Sequence, residues 1–430
     1  MKVGSWGRLN YEDHAFVPVS RDHAPERKET HKKTLPYGMG RSYGDVCLNP
    51  LGDLSFTRSL DRFIKFNPHT GELVCEAGVL LRDIQLTFSK KGWILPVTPG
   101  SQYVTIGGAI ANDIHGKNHH TAGCFSRHLN WLEIERTDGQ LITCSATKNI
   151  AWFAATCGGL GLTGVVKKLS ITLKPVCSNW LDTETIVFSN LDEFIRLSTA
   201  SEANWEYTVA WIDCGVSKKK RGIFMRANHS LEAGEVTPRD RKIKMPFVPP
   251  VSMVNRISVA AFNYLYFCSQ KLKIGIKKNH YQTFFYPLDN ITHWNRMYGP
   301  HGFYQYQLVV PSDAGRPAID AVLNEISASG QGSFLSVLKT FGNKASAGLL
   351  SFPMEGITLA LDFPNNGSET LQLFRRLDAI VREARGRLYP AKDARMPASL
   401  FADGYPQLEE FLAYRDPGIS SGLSQRLMGW

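Results

Sequence analysis

The spacing of apolar residues along the chain predicts short strands and helices in alternation. Residues 71–100 contain a run of alternating apolar and polar residues, an apolar stripe at spacings of three and four, and a second apolar run. A period of two is typical of a half-buried strand, and the three-and-four spacing is typical of a helix. The segment therefore predicts a strand, a helix and a strand. The helical stripe consists of Leu80, Leu81, Ile84 and Phe88.

Two further β patterns close the first third of the chain. Residues 129–145 carry two β-rich runs around Asp138-Gly139, which is a hairpin signal. Residues 164–176 alternate like a strand and end at Lys174-Pro175. We place a domain boundary near residue 178.

The middle of the chain repeats a strand-to-helix pattern. Strand-like runs occupy residues 206–214, 302–311 and 356–364, and helical patterns follow the last two. Ser368 stands where it could cap the last of these helices. Such repeated units predict an α+β fold in which an antiparallel sheet lies under helices.

Composition indicates a folded protein of two domains. The chain has 430 residues, 43% of them hydrophobic and 20% charged, which is a normal globular balance. This length is too great for one ordinary core. Eight cysteines without a CxxC pair indicate reduced thiols in a cytoplasmic protein, not disulfides or metal ligands.

The net charge of +10 favours an anionic partner. Nucleic acid is disfavoured because the sequence has no zinc-finger spacing or aromatic RNA-binding signature. A phosphorylated substrate or an anionic lipid surface fits better. No signal peptide or membrane span is expected, but the apolar residues 251–270 lie between lysine-rich flanks. This segment is either a helix in a membrane interface or an ordinary buried helix.

Three glycine-rich stretches indicate backbone that approaches a ligand closely. They are "PYGMGRSYGD" at 36–45, "TPGS" through "TIGGAIANDIHGKNHH" at 98–120, and "CGGLGLTGVV" at 157–166. Glycine exposes its N–H without a Cβ, so such loops hold phosphates well. The spacings match neither a P-loop nor a GxGxxG fingerprint after a strand, which argues against those two folds.

The histidines of the second stretch raise two alternatives. His115 and His119 are four apart, which is a zinc-like spacing on a helix, but Gly116 and Asn118 make a regular helix doubtful, so a metal is disfavoured. A catalytic role for His115, by positioning or by proton transfer, stays open. The neighbouring histidines are expected to hydrogen-bond backbone and stabilise the loop, and these are His119, His120 and His128.

Taken together, the three stretches resemble the FAD-binding domain of the vanillyl-alcohol oxidase and p-cresol methylhydroxylase superfamily. Within it, "GRSYGD", "DIHGKNHH", "GGLGLTG" and the C-terminal "GRLYPAKD" are most similar to the flavoprotein subunits of decaprenylphosphoryl-β-D-ribose 2′-epimerase, the 2′-oxidases. The resemblance covers nearly the whole chain. It implies an α+β, two-domain flavoprotein, with the FAD-binding domain at 1–178, an antiparallel-sheet substrate domain at 179–386, and a C-terminal segment, 387–430, that returns to the FAD domain.

The resemblance also implies which residues hold FAD. Where many superfamily members carry a histidine bonded to the flavin, this chain has Arg41, so FAD is expected to be non-covalent and Arg41 could pair with its phosphate. The implied FAD-binding residues are Pro36, Tyr37, Gly38, Met39, Gly40, Arg41, Ser42, Tyr43, Gly44, Asp45, Val46, Gly100, Thr105, Ile106, Gly107, Gly108, His115, Gly116, Lys117, Asn118, Val165 and Tyr389.

The implied reaction is oxidation of the 2′-hydroxyl of a polyprenylphosphoryl ribofuranose, which is half of an epimerisation. Lys392 in "YPAKD" is the candidate for electrostatic stabilisation, because an unperturbed lysine is too basic to act as a base unless burial lowers its pKa. A short-chain dehydrogenase/reductase would complete the epimerisation. The lipid substrate implies a cytoplasmic protein that contacts the inner membrane peripherally, through residues near 242–279. The alternatives are a sugar-alcohol or aldonolactone oxidase of the same superfamily and a binding protein without flavin.

Candidate substrate residues come from the middle of the chain. Gln305 and Gln307 share one face of a strand and could bind sugar hydroxyls, although the strand pattern by itself favours a solvated sheet face. Lys339 is a candidate for the lipid phosphate or the sugar, and Trp211 for stacking on the sugar. Phe285 replaces a tyrosine of the family pattern, and Ala360 replaces a cysteine, which puts the exact substrate in doubt.

Overall fold

The computed structural model describes residues 1–22, 32–215, 220–234 and 243–430. Its strands are β1 (Lys2–Gly4), β2 (Tyr11–Asp13), β3 (Phe16–Pro18), β4 (Thr34–Tyr37), β5 (Asp53–Phe56), β6 (Phe63–Phe66), β7 (Glu72–Glu76), β8 (Trp93–Ile94), β9 (Leu129–Glu135), β10 (Leu141–Cys144), β11 (Val165–Thr172), β12 (Lys174–Pro175), β13 (Trp180–Phe188), β14 (Tyr207–Ile212), β15 (Gly222–His229), β16 (Ile243–Lys244), β17 (Gly275–His280), β18 (Ile291–Thr292), β19 (Phe303–Pro311), β20 (Ser336–Phe341), β21 (Gly356–Pro364) and β22 (Arg387–Leu388).

The helices lie between these strands. They are α1 (Leu81–Phe88), α2 (Ile106–Ala111), α3 (His119–Ala122), α4 (Ile150–Thr156), α5 (Leu191–Ser201), α6 (Arg256–Lys271), α7 (Tyr281–Phe285), α8 (Ser312–Ser329), α9 (Ser368–Glu383), α10 (Ala398–Gly404), α11 (Leu408–Leu412) and α12 (Gly422–Met428). Short 3-10 turns cover Asp45–Cys47, Thr57–Ser59, Ser89–Lys91, Phe125–His128, Pro287–Asn290 and Trp294–Tyr298.

Two sheets organise the first third of the chain. One is parallel, in the order β3-β5-β4, and the other is antiparallel, in the order β10-β9-β11-β7-β6. The predicted strand, helix and strand of residues 71–100 and the hairpin at Asp138-Gly139 are confirmed. The apolar side of α1 packs into a core with the strands of the antiparallel sheet.

The rest of the chain builds an eight-stranded sheet in the order β17-β13-β15-β14-β20-β21-β19-β22. Side chains alternate across a strand, so β19 and β21 send Leu308, Leu359 and Leu361 to one face, where they pack in a common core with α8 and α9. The opposite face, which carries Gln307 and Ala360, lines a cavity. The predicted α+β class with an antiparallel sheet under helices is what the chain adopts.

The C-terminal segment contacts both parts of the molecule. β22 pairs with β19 at the edge of the large sheet, and α12 packs against the turn Asp45–Cys47 of the first glycine-rich stretch. The backbone N–H of Thr34 also donates to the carbonyl of Gly418 at 2.9 Å. The division into an FAD-binding domain (1–178 together with 387–430) and a substrate domain (179–386) stays a prediction.

The predicted helix cap at Ser368 is wrong. Ser368 is the first residue of α9, and the capping position belongs to Gly367, which has φ +63° and no side chain to accept a hydrogen bond. Only glycine adopts this backbone conformation without strain, so the chain enters the helix by a turn and not by a side-chain cap.

Candidate active site

A cavity of about 660 Å³ lies between the glycine-rich loops and the inner face of the large sheet. Most of the predicted site residues line it, although they come from three distant parts of the chain. These are Pro36, Tyr37, Gly38, Met39, Gly40, Arg41, Ser42, Tyr43, Val46, Gly100, Thr105, Gly107, Gly108, His115, Gly116, Lys117, Trp211, Phe285, Gln305, Gln307, Lys339, Tyr389 and Lys392.

Three predicted residues lie behind the cavity wall. Ile106 is fully buried in the core, and Asn118 donates to the carbonyl of Pro96 at 2.9 Å. Val165 points away from the cavity, while its neighbour Val166 lines it. The side chains of consecutive strand residues point to opposite faces, so a one-residue difference in register separates the two valines.

Gly44 and Asp45 also lie outside the cavity, and they fix the loop from behind. A Cβ on Gly44 would lie 1.8 Å from the carbonyl oxygen of Asp393, so the loop packs directly on the C-terminal segment. Asp45 accepts two hydrogen bonds from Arg426, each 2.9 Å long, and Arg426 also donates to Asp393 at 2.9 Å. One guanidinium thus joins the first glycine-rich stretch to the segment that carries Lys392.

The glycines leave room that a bulky cofactor would fill. Gly100 and Gly161 line the cavity, and a Cβ added to either one would meet no atom within 4 Å. Gly40 has φ +56°, a conformation that a residue with a side chain rarely adopts. A cavity of this size, lined by glycine-rich loops, fits a dinucleotide cofactor.

The cavity floor is built from alternate residues of neighbouring strands. Trp211 on β14 stands opposite Val337 on β20, which in turn stands opposite Ala360 on β21 and then Gln307 on β19. Gln305 and Gln307 are buried and line the cavity, so the alternative of a solvated sheet face is wrong. Strand pairing therefore places both amides on the cavity floor, next to Ala360.

His115 is held between two side chains of this floor. Its Nδ1 lies 3.1 Å from Nζ of Lys339, and its Nε2 lies 3.1 Å from the side-chain nitrogen of Gln307. Burial, followed by the charge of Lys339, lowers the pKa of His115 well below its usual value. The imidazole is therefore neutral at neutral pH, and its single acceptor nitrogen can take a hydrogen bond from one of these two donors.

Three lysines reach the cavity, and burial lowers the pKa of each. The pKa falls to about 7 for Lys117 and Lys339 and to about 8 for Lys392. Nζ of Lys392 lies 3.9 Å from the ring centroid of Tyr43, and Lys117 donates to the carbonyl of Phe284. Cations that share a poorly solvated cavity create a site for anionic groups.

Arg41 lines the cavity, and its predicted phosphate contact stays a prediction. Its guanidinium stacks 4.5 Å over the ring of Trp6, and its Nη1 donates to the carbonyl of Met39 at 3.0 Å. Burial lowers its pKa from the usual value. The guanidinium lines the cavity and has further N–H donors besides the one bonded to Met39. It has no nucleophilic atom that could form a covalent bond to a flavin.

Two departures from the family pattern also have a structural outcome. Phe285 lines the cavity, whereas the hydroxyl of Tyr286 lies 2.6 Å from Oγ1 of Thr98 and 3.2 Å from the amide of Gln85, behind the wall. The adjacent tyrosine therefore does not replace the missing hydroxyl. Ala360 lines the cavity and offers no thiol there.

The expectation for the flanking histidines is only partly met. His120 bonds to the carbonyl of Trp205 at 2.8 Å and His128 to that of Ala122 at 3.0 Å, as predicted. For His119 the prediction is wrong, because neither ring nitrogen has a partner in the described ranges and the ring packs 4.6 Å from Phe341. Its pKa is lowered to about 3 by burial, so it is a neutral packing residue. Within the described residues, no group of three His, Cys, Asp or Glu side chains could hold a metal ion.

Sequence reasoning missed a buried carboxylate that holds the histidine loop. Asp113 has φ +36° and accepts hydrogen bonds from the backbone N–H of Ser126 at 2.8 Å and from the hydroxyl of Ser351 at 2.5 Å. It joins the loop before His115 to a segment that follows β20. No local pattern marks it, because its partners are far away in sequence.

Other missed residues line the cavity itself. From the third glycine-rich stretch the resemblance implies Val165 alone, yet Leu160, Gly161, Gly164 and Val166 are its lining residues. Positive φ values at Gly161 and Gly164 explain why glycine stands there, and the stretch itself was a usable signal. Trp6, Asp289 and His293 had no such signal.

Comparisons with known proteins identify an FAD-binding family and several related oxidases. A family model described as an FAD binding domain matches residues 26–145. Decaprenylphosphoryl-β-D-ribose oxidase of Mycolicibacterium smegmatis is 33% identical, over 99% of this chain and 97% of the relative. L-gulonolactone oxidase of Mus musculus is 26% identical over 41% of each chain, and D-arabinono-1,4-lactone oxidase of Yarrowia lipolytica is 26% identical over 41% of this chain and 34% of the relative. The first similarity spans both proteins almost completely, and the other two are partial.

Proposed function

This chain belongs to the decaprenylphosphoryl-β-D-ribose oxidase family, and we propose that it oxidises the 2′-hydroxyl of a polyprenylphosphoryl-β-D-ribofuranose to the 2′-keto sugar. It is an FAD-dependent oxidoreductase with the two-domain α+β fold of vanillyl-alcohol-oxidase-like flavoproteins. The observation that carries the substrate proposal is the cluster of His115, Lys339 and Gln307 on the cavity floor, with Lys392 nearby. It offers cations and amides to an anionic, hydroxyl-rich ligand.

The glycine-rich loops would hold FAD, and Gly107, Gly108 and most of the first stretch line the cavity that would receive it. When bound, FAD accepts the two electrons and the hydrogen that leave the sugar carbon. We propose that it is held without a covalent bond, because Arg41 stands at the position where related flavoproteins carry a linking histidine. The stacking of Arg41 on Trp6 leaves part of its guanidinium free to meet a phosphate.

Side chains of the cavity floor and of the C-terminal segment have separate roles in the proposed reaction. Lys392 holds a positive charge where the sugar oxygen must be stabilised, which is the electrostatic role predicted for it. Lys339, whose pKa lies at about 7, is able to take the proton of the 2′-hydroxyl at neutral pH. Neutral His115 holds the amine of Lys339 in place from one ring nitrogen and faces the amide of Gln307 from the other. Gln305 and Gln307 then orient the sugar hydroxyls.

The substrate proposal predicts that polyprenylphosphoryl ribose bleaches the flavin when it is mixed anaerobically with the purified holoenzyme. Stopped-flow absorbance measures the rate, and mass spectrometry of the lipid should find a product two hydrogens lighter. Pentitols and aldonolactones serve as the comparison, because both partial relatives are lactone oxidases. Bleaching by those soluble compounds and not by the lipid would contradict the proposed substrate and leave the enzyme class unchanged.

A lipid-linked substrate also requires access from a membrane, and α6 presents a surface suited to it. The inner side of α6 buries Val259 and Phe267, while its outer side exposes Ile257 by 82% and Leu265 by 65%. An ordinary buried helix would not leave these side chains in water, so that alternative is wrong. We call this surface the apolar face; it consists of Ile257, Tyr264, Leu265, Leu272, Ile274 and Ile276.

Charge favours an anionic lipid surface as the occupant of the apolar face. Residues 243–280 contain no Asp or Glu, and exposed basic residues surround the face. Tyr266, on the same helix, lines the cavity and lies 5.0 Å from Trp211. A helix seated in the headgroup region would thus bring the cavity to the lipid. The described residues include no helix that is long and apolar enough to span a bilayer. Residue 242, at the start of the predicted contact region, lies outside the described residues.

Leu265→Glu should weaken binding to phosphatidylglycerol vesicles by at least about tenfold, because it removes an exposed apolar side chain that would enter the lipid and adds charge repulsion. Vesicle sedimentation measures the bound fraction. Leu231→Glu is the matched control, since Leu231 is 82% exposed but lies outside the apolar face. Equal binding by the two variants would contradict this membrane contact.

A 2′-keto sugar needs a second enzyme to complete an epimerisation. We propose a short-chain dehydrogenase/reductase as that partner, because the remaining step of the epimerisation is the reduction of the ketone by hydride. Adding such a reductase with its nicotinamide cofactor to the keto product should yield the arabinose epimer, which chromatography of the released pentose would detect.

A further inference from the structure

A buried carboxyl lies beside the polar floor of the cavity, on the same face of the large sheet. Asp362 on β21 stands opposite Gln305 on β19, one row beyond the pair formed by Ala360 and Gln307. Its side chain is fully buried, and its Oδ1 accepts a hydrogen bond from the amide nitrogen of Gln305 at 2.6 Å. Its Oδ2 is buried without a hydrogen-bond partner in the part of the chain that the structure describes. Asp362 does not line the cavity, and the proposed reaction has no use for it.

The groups that face Asp362 come from every element packed around it. Lys392 from the C-terminal segment supplies the positive charge, and the hydroxyls of Tyr43 and Tyr298 complete the surroundings. Burial raises the pKa of Asp362 to about 7, and Gln305 and Lys392 oppose this rise. Burial lowers the pKa of Lys392 to about 8, and Asp362 opposes that fall. Each of the two ions therefore stabilises the other.

We propose that Asp362 is a positioning residue that keeps Lys392 protonated and fixes the amide of Gln305. An ionised carboxylate accepts hydrogen bonds only, so the amide nitrogen of Gln305 must face it and the carbonyl oxygen must turn elsewhere. A carboxylate next to a buried ammonium favours the charged lysine. The inference rests on the proposed function, because there Lys392 must carry its charge while the sugar oxygen is stabilised.

The pH profile of flavin reduction tests the charge effect. The rate needs protonated Lys392, so in the native enzyme it should fall as the pH rises through about 8. In Asp362→Asn the Lys392 ammonium loses a nearby negative charge, and this alkaline limb of the pH profile should move to lower pH by at least about one unit. A role limited to packing would lower the rate at every pH and leave the limb where it is, which would overturn the proposal.

Ser333→Ala provides the matched control. The hydroxyl of Ser333 accepts a hydrogen bond from the backbone N–H of Asp362 at 3.0 Å, and Ser333 is equally buried but uncharged. Its loss should leave the limb in place. If Asp362→Asn does not fold, Gln305→Ala replaces it, because removal of the donor makes Asp362 harder to ionise and should move the limb in the same direction.

A second readout needs neither substrate nor turnover. Thermal unfolding of the holoenzyme is measured for Asp362→Asn, for Lys392→Met and for the double variant. Lys392→Met removes the positive charge near the buried carboxyl of Asp362. The double variant should therefore lose less stability than the two single variants lose together. Strict additivity would overturn the proposal. If the lipid does not bleach the flavin at all, the proposed function is wrong. The role of Asp362 is then tested by the unfolding temperatures of the two single variants and the double variant alone.

Discussion

Lys392→Ala should slow reduction of the flavin by polyprenylphosphoryl ribose by about 10²- to 10³-fold, the cost of removing one preorganised electrostatic group from a closed site. Lys392 lies in the cavity over the ring of Tyr43, where burial makes a single charge effective. Anaerobic stopped-flow absorbance measures the rate at saturating substrate. The protein should still bind FAD, since the glycine-rich loops are unaffected.

Lys392→Arg is the control for charge, because a guanidinium keeps the cation at every accessible pH. It should recover part of the rate and lose the alkaline limb assigned to Lys392. A wild-type rate in Lys392→Ala with FAD bound would show that this residue is not at the reaction site.

Arg426→Met should destabilise the fold by about 3 kcal/mol, within the range for breaking one side of a buried ion pair. The guanidinium bridges Asp45 and Asp393, whose side chains are only 10% and 6% exposed. Without it two carboxylates face each other in low dielectric, behind the loop that would hold FAD. Thermal unfolding should therefore occur at lower temperature, and FAD should dissociate from the variant more readily.

A matched variant tests whether this loss comes from the burial of the ion pairs. Arg382→Met is the matched control, since its ion pair with Asp403 is half exposed and should contribute only about 0.5 kcal/mol. Equal losses in the two variants would contradict a bridging role for Arg426.

Ultrafiltration after heating also tests how FAD is held. Released flavin should pass the ultrafiltration filter for both the native protein and Arg426→Met. The variant should release its flavin at a lower temperature. Flavin retained with the denatured chain would contradict non-covalent binding.

Local pattern predicted the parts of the site that are continuous in sequence. The glycine-rich stretches could be recognised because close backbone approach demands glycine at fixed spacing, and Gly40 and Gly161 indeed have positive φ. The alternation of Gln305 and Gln307 predicted one common face because the strand period is two. Their exposure could not be predicted, since burial of that face depends on loops from the other end of the chain.

The residues that were missed act through distant partners. Asp362 is opposite Gln305 only because β19 pairs with β21, 57 residues along the chain. Asp113 and Arg426 also bind partners from distant segments. Ser351 donates a hydrogen bond to Asp113, and Arg426 donates to Asp45 and Asp393. The packing role of His119 was likewise hidden, because sequence does not reveal whether a ring nitrogen meets a carbonyl or an aromatic face.

The sequence alone determined the α+β class, the glycine-rich loops and the residue types brought to the site, because local spacing and backbone freedom are written residue by residue. Only the tertiary structure decided the ionisation of those residues. Lys117, Lys339 and Lys392 carry lowered pKa values, and His115 is neutral, because folding removes water from them and places them in one cavity. Desolvation and charge proximity are properties of the assembled site, and no single stretch of the chain contains them.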